Sequence, residues 1–430
     1  MRKTHIHKLK DGQAFKKKAL IWSQQFEDVV WLDSNNYHQN HSTYDAILAV
    51  DAFTSIQTDF HNAFAKLKEY QTYINDWIFG YLTYDLKNDI EALESKNFDG
   101  LGFPDLFFFQ PKKLFLFKGN EVEIQYLNFV ANELNDDLLA INQSVQLQRG
   151  KVASDIKIKL RIHKDEYFDK VNAILGHIRR GDIYETNFCQ EFYAENTVIN
   201  AFETYQKLND ISKPPFAAFI KTKDKYILCS SPERYLKKEG NTVISQPIKG
   251  TAKRSDNPDE DNRLKLNLSK DKKERSENVM IVDLVRNDLS KTALKGSVKV
   301  EELCKIYTFD QVHQMISTVS SEVDSTTHPV DIIKSTFPMG SMTGAPKISA
   351  MNIAEEQEET KRGVYSGAIG YFTPEGNFDF NVVIRSILYN QTKKYVSYSV
   401  GGAITVKSDP LREYEECLVK AKAMRTVLEN

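Results

Sequence analysis

The sequence predicts an α+β protein built around large antiparallel sheets. Three short runs in the middle of the chain, "FAAFI", "KYILCS" and "NTVISQPI", are separated only by polar turns, as the strands of hairpins are. Two later stretches, "SENVMIVDLVRNDLS" and "DPLREYEECLVKAKAMRTVL", have the apolar spacing of amphipathic helices. Strands and helices do not alternate regularly along the chain, which argues against a doubly wound parallel sheet.

The first third of the chain shows weaker patterns of the same kind. Residues 28–130 contain strand-like runs such as "DVVWL", "AILAV" and "KLFLF", and one helical stretch near residues 57–70. Residues 131–160 are polar and poor in structural signals. We therefore expect an N-terminal region over residues 1–150 and a second domain over residues 160–430.

The patterns of the second region are sharper. A helix is predicted to end before Gly181, because apolar residues recur at helical spacing at Tyr167, Val171, Ile174, Leu175 and Ile178. The run "DIYETNFCQEFYAE" then alternates like a strand, and "FETYQKLND" has a helical pattern. The stretch "SGAIGYFTPEGNFDFNVVIRSILYN" predicts a hairpin with its turn at Pro374–Gly376, and "KKYVSYSVGGAITV" predicts a strand that enters a Gly-Gly loop.

The composition indicates an ordinary globular protein. Its 430 residues are 41% hydrophobic and 27% charged, and a net charge of −2 spread along the chain gives no nucleic-acid footprint. No run is long enough to span a bilayer, and no secretory signal follows the basic N-terminus. The four widely separated cysteines fit reduced thiols better than disulfides or a zinc site. We expect a cytoplasmic protein without nucleic-acid or membrane partners.

Two pairs of glutamates are candidates for a metal site. Glu274 and Glu277 lie three residues apart at the start of one predicted helix, and Glu413 and Glu416 have the same spacing on the last helix. That spacing places both members of a pair on one helix face. Two such faces together would make an all-oxygen site suited to Mg²⁺, and the lack of a histidine at ligand spacing argues against di-iron. Each pair alone also fits a solvated helix start.

The glycine-containing loop "FPMGSMTGAPKISAM", residues 337–351, is a candidate anion site. A helix could begin at Pro346, and the free backbone N–H groups of a helix start bind anions. The Gly-Lys-Ser/Thr ending of a nucleotide P-loop is absent, so a carboxylate is the more suitable guest. An ordinary glycine turn with a helix cap would have the same signature.

Two further features favour an anionic ligand. Gly401 and Gly402, in "VGGAITV", could expose backbone N–H groups to a closely approaching molecule. Arg385 stands in the apolar run "NVVIRSIL" and requires a carboxylate partner. That carboxylate could belong to a ligand or to a structural salt bridge.

Lys249 and Glu233 are the candidates for chemistry. Lys249 stands between a predicted strand and a glycine in "QPIKGTAKR", and Glu233 follows a proline in "CSSPERYL". Antiparallel pairing of the two segments could bring the side chains together. A neutral lysine is a nucleophile, and a glutamic acid in an apolar pocket can donate a proton. A plain salt bridge between the two residues would require the same spacing.

Eight segments, which occur in order over residues 165–425, together resemble the chorismate-utilising enzymes. This family includes anthranilate synthase large subunits, isochorismate and salicylate synthases, and aminodeoxychorismate synthase component I. The segments are "GDIYETNFCQ", "SSPERYL", "PIKGTAKR", "SENVMIVDLVRNDLS", "FPMGSMTGAPKISAM", "SGAIGYF", "VIRSIL" and "GGAITVKSDPLREYEE". Two earlier segments, "FGYLTYDL" and "GFPDLFFFQP", show a weaker likeness. The resemblance implies two large twisted antiparallel sheets packed as a sandwich and flanked by helices.

The resemblance also implies roles for the candidate residues. Glu277 and Glu416 would hold Mg²⁺ against the ring carboxylate of chorismate, with Glu274 and Glu413 as further ligands or close neighbours. Arg385 would bind the pyruvyl carboxylate. The other residues expected at the substrate pocket are Tyr365, Ser341, Thr343, Gly344, Gly401, Gly402, Ala403 and Thr251.

Lys249 points to one branch of this family. Anthranilate, isochorismate and salicylate synthases typically read "PIAGT" where this chain reads "PIKGT", whereas the aminodeoxychorismate-forming enzymes commonly carry the lysine. The resemblance implies that the Lys249 amine attacks C2 of chorismate while Glu233 protonates the departing C4 hydroxyl. Ammonia from a separate glutamine amidotransferase subunit, component II, would then attack C4. The product, 4-amino-4-deoxychorismate, leads to 4-aminobenzoate and folate.

Two departures from the family pattern bear on the alternatives. Gln314 replaces the histidine of the anthranilate synthase segment, and His313, one residue earlier, should point to the opposite face of its strand. This difference weakens the first alternative, an anthranilate synthase. Ala403 stands where a glycine is usual. The second alternative, a non-catalytic subunit that binds a regulatory ligand, is opposed by the complete set of charged candidates.

Overall fold

The computed structural model describes residues 1–37, 41–145 and 156–429, which form twenty β-strands and eleven α-helices. The strands are β1 (Arg2–Lys8), β2 (Asp28–Asp33), β3 (Ala46–Thr58), β4 (Ile78–Leu82), β5 (Leu106–Lys118), β6 (Glu121–Leu127), β7 (Lys159–Leu160), β8 (Glu185–Ala194), β9 (Phe216–Thr222), β10 (Lys225–Ser231), β11 (Arg234–Glu239), β12 (Thr242–Gln246), β13 (Ile248–Lys253), β14 (Lys299–Thr308), β15 (Val312–Glu322), β16 (Gly344–Ala345), β17 (Ala368–Phe372), β18 (Phe378–Asn381), β19 (Ser386–Asn390) and β20 (Tyr395–Thr405). The helices are α1 (Gly12–Trp22), α2 (Ala63–Ile74), α3 (Lys87–Ile90), α4 (Leu134–Gln143), α5 (Lys164–Arg180), α6 (Ala201–Ser212), α7 (Pro258–Lys270), α8 (Lys272–Ser290), α9 (Pro329–Thr336), α10 (Lys347–Gln357) and α11 (Pro410–Glu429).

The twenty strands join in one hydrogen-bonded network that divides into two arms at β5. One edge of β5 pairs with β3, and from there the first arm runs β3–β2–β9–β10–β19–β20–β8. The other edge of β5 pairs with β6 and β4, and from β4 the second arm runs β4–β17–β18–β11–β12–β15–β14. Every one of these pairings is antiparallel, as the hairpin patterns predicted.

The two arms pack face to face around the larger hydrophobic core. Val30 and Ile220 of the first arm belong to the same buried cluster as Val319 and Phe380 of the second. The opposite face of the first arm is covered by α1, α5, α6 and α11, which contribute to a second core. Burial of both faces of this arm explains why its strands are apolar on both sides. The predicted α+β sandwich of antiparallel sheets with flanking helices is confirmed.

Most of the predicted elements are present, with small shifts of their ends. The helix before Gly181 is α5, and "DIYETNFCQEFYAE" contains β8. The helix expected near residues 57–70 begins at Ala63, because β3 continues as far as Thr58. No helix in the described ranges combines the length and the apolar content needed to cross a bilayer.

Two local predictions are wrong. The run "NVVIRSIL" is not one strand, because the chain leaves strand geometry between β18 and β19, where Arg385 has a φ of +52°. This break carries the chain from the second arm to the first. The loop expected at Gly401 and Gly402 is instead part of β20, and these two residues pair with Cys189 and Phe188 of β8.

The division into two domains stays a prediction. The boundary expected within residues 131–160 lies partly outside the described residues. Strands from the two predicted regions pair directly, β2 with β9 and β4 with β17.

Candidate active site

Lys249 stands at a β-bulge. The register between β13 and β15 shifts between Ile248 and Thr251, and Gly250 within the shift has a φ of +92°. A bulge redirects the side chain next to it, and Lys249 here is half-buried in a pocket of acidic residues. A Cβ at position 250 would lie 3.1 Å from Oε2 of Glu274. Glycine therefore allows the left-handed turn and the close approach of β13 to α8.

Glu233, between β10 and β11, is the acid of this pocket. It is only 5% exposed. Burial raises the pKa of Glu233 to about 7, although the Ser341 hydroxyl, the Lys249 ammonium, the Ile248 N–H and the Arg385 guanidinium all favour its charged form. A carboxyl group with this pKa can hold a proton at neutral pH and release it in a reaction. The hairpin geometry thus brings Glu233 and Lys249 into one pocket.

Arg385 belongs to the same pocket. Burial lowers the pKa of its guanidinium, and Glu233 is the acid that opposes this shift. Among the described residues, no hydrogen bond or ion pair of normal length occupies the guanidinium, so its N–H groups can bind a ligand carboxylate. Tyr365 is 3% exposed, and burial, followed by the neighbouring Cys189 thiol, raises its pKa well above the usual value.

The loop between α9 and α10, residues 337–346, carries three of the predicted pocket residues. The hydroxyl of Ser341 is buried and makes no hydrogen bond of normal geometry in the described structure. The hydroxyl of Thr343 donates to two carbonyls of its own loop, at 3.2 and 3.4 Å. Gly344 packs so closely on β8 that a Cβ there would lie 2.3 Å from the carbonyl oxygen of Glu185. The loop is therefore fixed against the first arm.

Two cations, Lys347 and Arg362, bind backbone carbonyls of this loop. Lys347 Nζ lies 2.6 Å from Asp288 Oδ2 and donates to two carbonyls at the end of α9, at 2.9 and 3.2 Å. Arg362 Nη1 donates to the carbonyl of Met342 at 2.6 Å, and other nitrogens of Arg362 pair with Glu358 at 2.7 and 2.9 Å. These charge-assisted contacts fix the backbone that lines the pocket.

The four predicted metal ligands come from the first two turns of α8 and α11, and all four act on the charge of Lys273; we call them the carboxylate cluster. Burial, and then the charge of Glu277, raises the pKa of Glu274. Burial also raises the pKa of Glu413, and Glu416 adds to the effect. All four carboxylates act on the ammonium of Lys273 and raise its pKa against the effect of burial. Its Nζ lies 3.7 Å from Glu277 Oε1.

The donor set of the carboxylate cluster fits Mg²⁺. It offers four carboxylates, its members repel one another, and it already attracts an ammonium group. Hard oxygen donors with excess negative charge suit a divalent cation that keeps some water ligands. Among the described residues, however, no three of these carboxylates lie in a group that could hold a metal ion.

Strand β20 passes directly beside this cluster. A Cβ at Gly402 would lie 3.4 Å from Glu413 Oε2 and 3.9 Å from Glu416 Oε1. Lys420 Nζ pairs with Glu416 Oε1 at 2.7 Å and donates to the carbonyl of Gly401 at 2.8 Å. Burial opposes the charged form of Glu416, but the charge and hydrogen bond of Lys420, together with the charges of Lys273 and Lys249, lower the pKa of Glu416. The glycines thus give the strand close contact with α11 rather than an open loop.

Four further positions that the sequence singled out lie on β20, β13 and β15. Ala403 pairs with Asn187 of β8, and Thr251 is exposed on β13 opposite Gln314. His313 is buried, and its two ring nitrogens lie 3.0 Å from the Thr308 hydroxyl and 3.0 Å from Asp261, on the α7 side of β15. Gln314 keeps a buried Oε1 without a hydrogen-bond partner among the described residues. The two neighbours therefore have different surroundings, as expected for adjacent strand residues.

Sequence reasoning missed Glu185, the first residue of β8. It is 2% exposed, and its Oε2 has no hydrogen-bond partner in the described structure. Burial raises the pKa of Glu185, the Lys249 ammonium lowers it, and Glu277 raises it further. The available signal was an acidic residue inside a strand-like segment, "DIYETNFCQEFYAE".

Three comparisons relate the chain to known proteins. Residues 24–426 match the family of chorismate binding enzymes. The chain is 31% identical to the aminodeoxychorismate synthase component 1 of Bacillus subtilis (strain 168) over 361 residues, which are 81% of this chain and 76% of that protein. It is 39% identical over 301 residues to a probable chloroplastic aminodeoxychorismate synthase of Oryza sativa subsp. japonica, and this stretch covers 69% of this chain but only 32% of that longer protein.

A solved structure shows the same fold. The anthranilate synthase component I of Streptococcus pneumoniae TIGR4 superposes with a TM-score of 0.79 at 25% identity, over 90% of this chain and 95% of that one. The family match, the relatives and the shared fold agree with the family that the sequence motifs indicated. This chain therefore belongs to the chorismate binding enzymes.

Proposed function

We propose that the chain is component I of an aminodeoxychorismate synthase, which replaces the C4 hydroxyl of chorismate with an amino group. The observation that carries this proposal is the placement of Lys249, at a β-bulge, in one pocket with the acid Glu233. The names of the relatives in Bacillus subtilis and Oryza sativa support the same activity.

The binding of chorismate would use the two ends of the pocket. The pyruvyl carboxylate would lie on Arg385, whose guanidinium is not engaged by a normal hydrogen bond in the described residues. The ring carboxylate would lie toward the carboxylate cluster, where Glu277 and Glu416, with Glu274 and Glu413, would hold Mg²⁺. When bound, the cation would neutralise the cluster and bind a substrate carboxylate oxygen. Held at both ends, the ring would present C2 to Lys249.

The first chemical step would be a displacement by lysine. The neutral Lys249 amine forms a bond to C2, both ring double bonds shift by one position, and the C4–O bond breaks. Glu233 gives its proton to the departing hydroxyl, which leaves as water. Because burial holds the pKa of Glu233 at about 7, a large share of the acid is protonated at neutral pH.

The second step would restore the lysine. Ammonia forms a bond to C4, both ring double bonds return to their original positions, and the C2–N bond to Lys249 breaks to give 4-amino-4-deoxychorismate. The ammonia would come from a separate glutamine amidotransferase subunit, as the component naming of the relatives suggests. The product would enter the synthesis of 4-aminobenzoate and folate.

The experiment that tests this function follows the amino products of chorismate. The protein is incubated with chorismate, Mg²⁺ and an ammonium salt, and the products are separated by chromatography. Formation of 4-amino-4-deoxychorismate supports the proposal. Fluorescent anthranilate would instead assign the anthranilate synthase activity, for which the fold of the Streptococcus protein is the supporting observation. Binding of chorismate without turnover would favour a regulatory subunit.

The role of the lysine needs its own variant. Lys249→Ala should bind chorismate but lose amination, and an intact-mass measurement on the wild type without ammonium should show a chorismate-derived adduct on Lys249. Normal turnover by Lys249→Ala would refute covalent catalysis by this residue.

A further inference from the structure

Glu185 is a buried acid that the proposed steps do not use. It is 2% exposed, and one carboxylate oxygen, Oε2, has no hydrogen-bond donor among the described residues. Burial of an unsatisfied carboxylate is costly, so such a group points to a missing partner. Because a carboxylate only accepts hydrogen bonds, the missing partner must be a donor, and a cation satisfies it best.

The position of Glu185 in β8 directs it to the substrate pocket. Its backbone lies between β16 and β20, paired with Ala345 and Thr405. Asn187, two residues along, shares its face of the strand, and the amide of Asn187 contacts Met342 Sδ at 3.9 Å in the loop that lines the pocket.

The charges around Glu185 show which cation is absent. Two charged groups act on Glu185: Lys249, the proposed nucleophile, and Glu277, a member of the carboxylate cluster. Within the described ranges, Lys249 is thus the one cation that acts on Glu185, and Lys249 must be neutral to attack chorismate. At that stage burial and the charge of Glu277 both disfavour the carboxylate form of Glu185, and a small cation in place of the Lys249 ammonium would stabilise that form.

We propose that Glu185 forms an ammonium-binding subsite next to Lys249 and delivers the nitrogen nucleophile of the second step. This inference rests on the proposed amination of chorismate. Ammonium docks on the carboxylate of Glu185 and transfers one proton to it, and the resulting ammonia forms the new bond at C4. Lys249 leaves C2 as a neutral amine and the product carries the amino group as –NH₃⁺. Glu185 then returns its proton to solvent, and Glu233, which lost one in the first step, takes one up.

The test measures how the rate depends on the nitrogen source. Glu185→Gln keeps the shape of the side chain but removes its charge. We expect its KM for ammonium to rise about tenfold or more, the loss typical of one charge-assisted hydrogen bond, while the KM for chorismate stays within about twofold. Hydroxylamine, a nucleophile that is uncharged at neutral pH, should react with the same KM in the variant and in the wild type. Glu185→Asp should recover part of the affinity for ammonium.

A matched control lies on the same strand. Glu191 is also buried and shares the face of Glu185, but it is already paired with Arg161 and the Tyr395 hydroxyl. Glu191→Gln should lower stability without changing the KM for ammonium. If the Lys249 adduct forms but the KM for ammonium is unchanged in both Glu185→Gln and Glu185→Asp, the subsite is overturned. If the wild type forms neither the adduct nor the amino product, the proposed function is refuted, and the subsite with it.

Discussion

Lys347 Nζ lies 2.6 Å from Asp288 Oδ2, and this pair connects the start of α10 to the end of α8. The same ammonium donates to the carbonyls of Thr336 and Pro338, where α9 leads into the pocket loop. One side chain therefore joins three helices behind the loop that carries Ser341. Desolvation lowers the pKa of Lys347, and Asp288 opposes this shift.

Lys347→Met should destabilise the fold and loosen the pocket loop. The substitution leaves Asp288 Oδ2 and two carbonyls without this donor, while Lys291 still pairs with Asp288 Oδ1. Removal of one partner from a buried pair costs at most about 3–5 kcal/mol. We expect this loss in urea unfolding and a higher KM for chorismate. Lys291, which pairs with Asp288 at 3.0 Å but is 46% exposed, supplies the control. Lys291→Met should cost about 1 kcal/mol or less, and equal losses in the two variants would contradict the role given to Lys347.

The rate of amination should depend on the protonation of Glu233. Burial raises its pKa to about 7, and the protonated form is the proton donor. We therefore expect the protonated fraction of Glu233 to fall about tenfold per pH unit above pH 7. Glu233→Gln lacks the proton donor and should be inactive over the whole range. The infrared carboxyl band that is lost in Glu233→Gln reports the protonated fraction directly, and absence of that band from the wild type at pH 6 would rule out Glu233 as the donor.

The same pKa predicts an effect of pH on stability. In the unfolded chain Glu233 titrates near 4.5, and in the folded chain near 7, so its contribution to stability is full below pH 4.5 and is lost as the pH rises to 7. Glu233→Gln removes this loss, so we expect its free energy of unfolding to exceed that of the wild type by about 2–3 kcal/mol at pH 8. At pH 5 the gain should fall below about 1 kcal/mol. Chemical denaturation at both pH values measures the difference, and an equal gain at both would contradict this linkage.

Gly250 should be required for the orientation of the Lys249 side chain toward the pocket. A side chain at this position must adopt a φ of +92° and would contact Glu274 at 3.1 Å. Gly250→Ala is expected to cost about 1–3 kcal/mol in unfolding experiments and to reduce amination strongly. Gly240 is the control, because its φ is +59° and an added Cβ there would have no atom of the described residues within 4 Å. Gly240→Ala should carry the backbone strain alone and keep its activity, whereas an active Gly250→Ala would show that the bulge does not matter.

Lys273 should compete with a divalent cation for the carboxylate cluster. The charges of all four glutamates act on its ammonium, and Lys273 Nζ lies 3.7 Å from Glu277 Oε1. Lys273→Met removes this competing charge, so Mg²⁺ should bind about three- to tenfold more tightly in calorimetric titrations without substrate. Lys272 is exposed on the neighbouring position of α8, and Lys272→Met loses the same charge. An equal gain in affinity for both variants would mean that net charge, not the position of Lys273, controls binding.

Local sequence patterns were enough to predict the arrangement of residues within single elements. The three-residue spacing of Glu274 and Glu277 placed them on one face of α8 because a helix repeats every 3.6 residues. The two-residue repeat of a strand separated His313 from Gln314 in the same way. The order of the eight motifs indicated the family, and the alternating runs indicated antiparallel sheets.

Which of these faces come together depends on long-range packing, which the local patterns do not encode. The break at Arg385 exists because the chain must cross from one arm of the sheet to the other, and no local pattern marks that crossing. Gly401 and Gly402 lie within β20 because β8 pairs alongside, at positions more than 200 residues earlier in the chain. The partners of Glu185 and Lys273 likewise come from distant segments, since burial and charge depend on long-range packing that local periodicity does not encode.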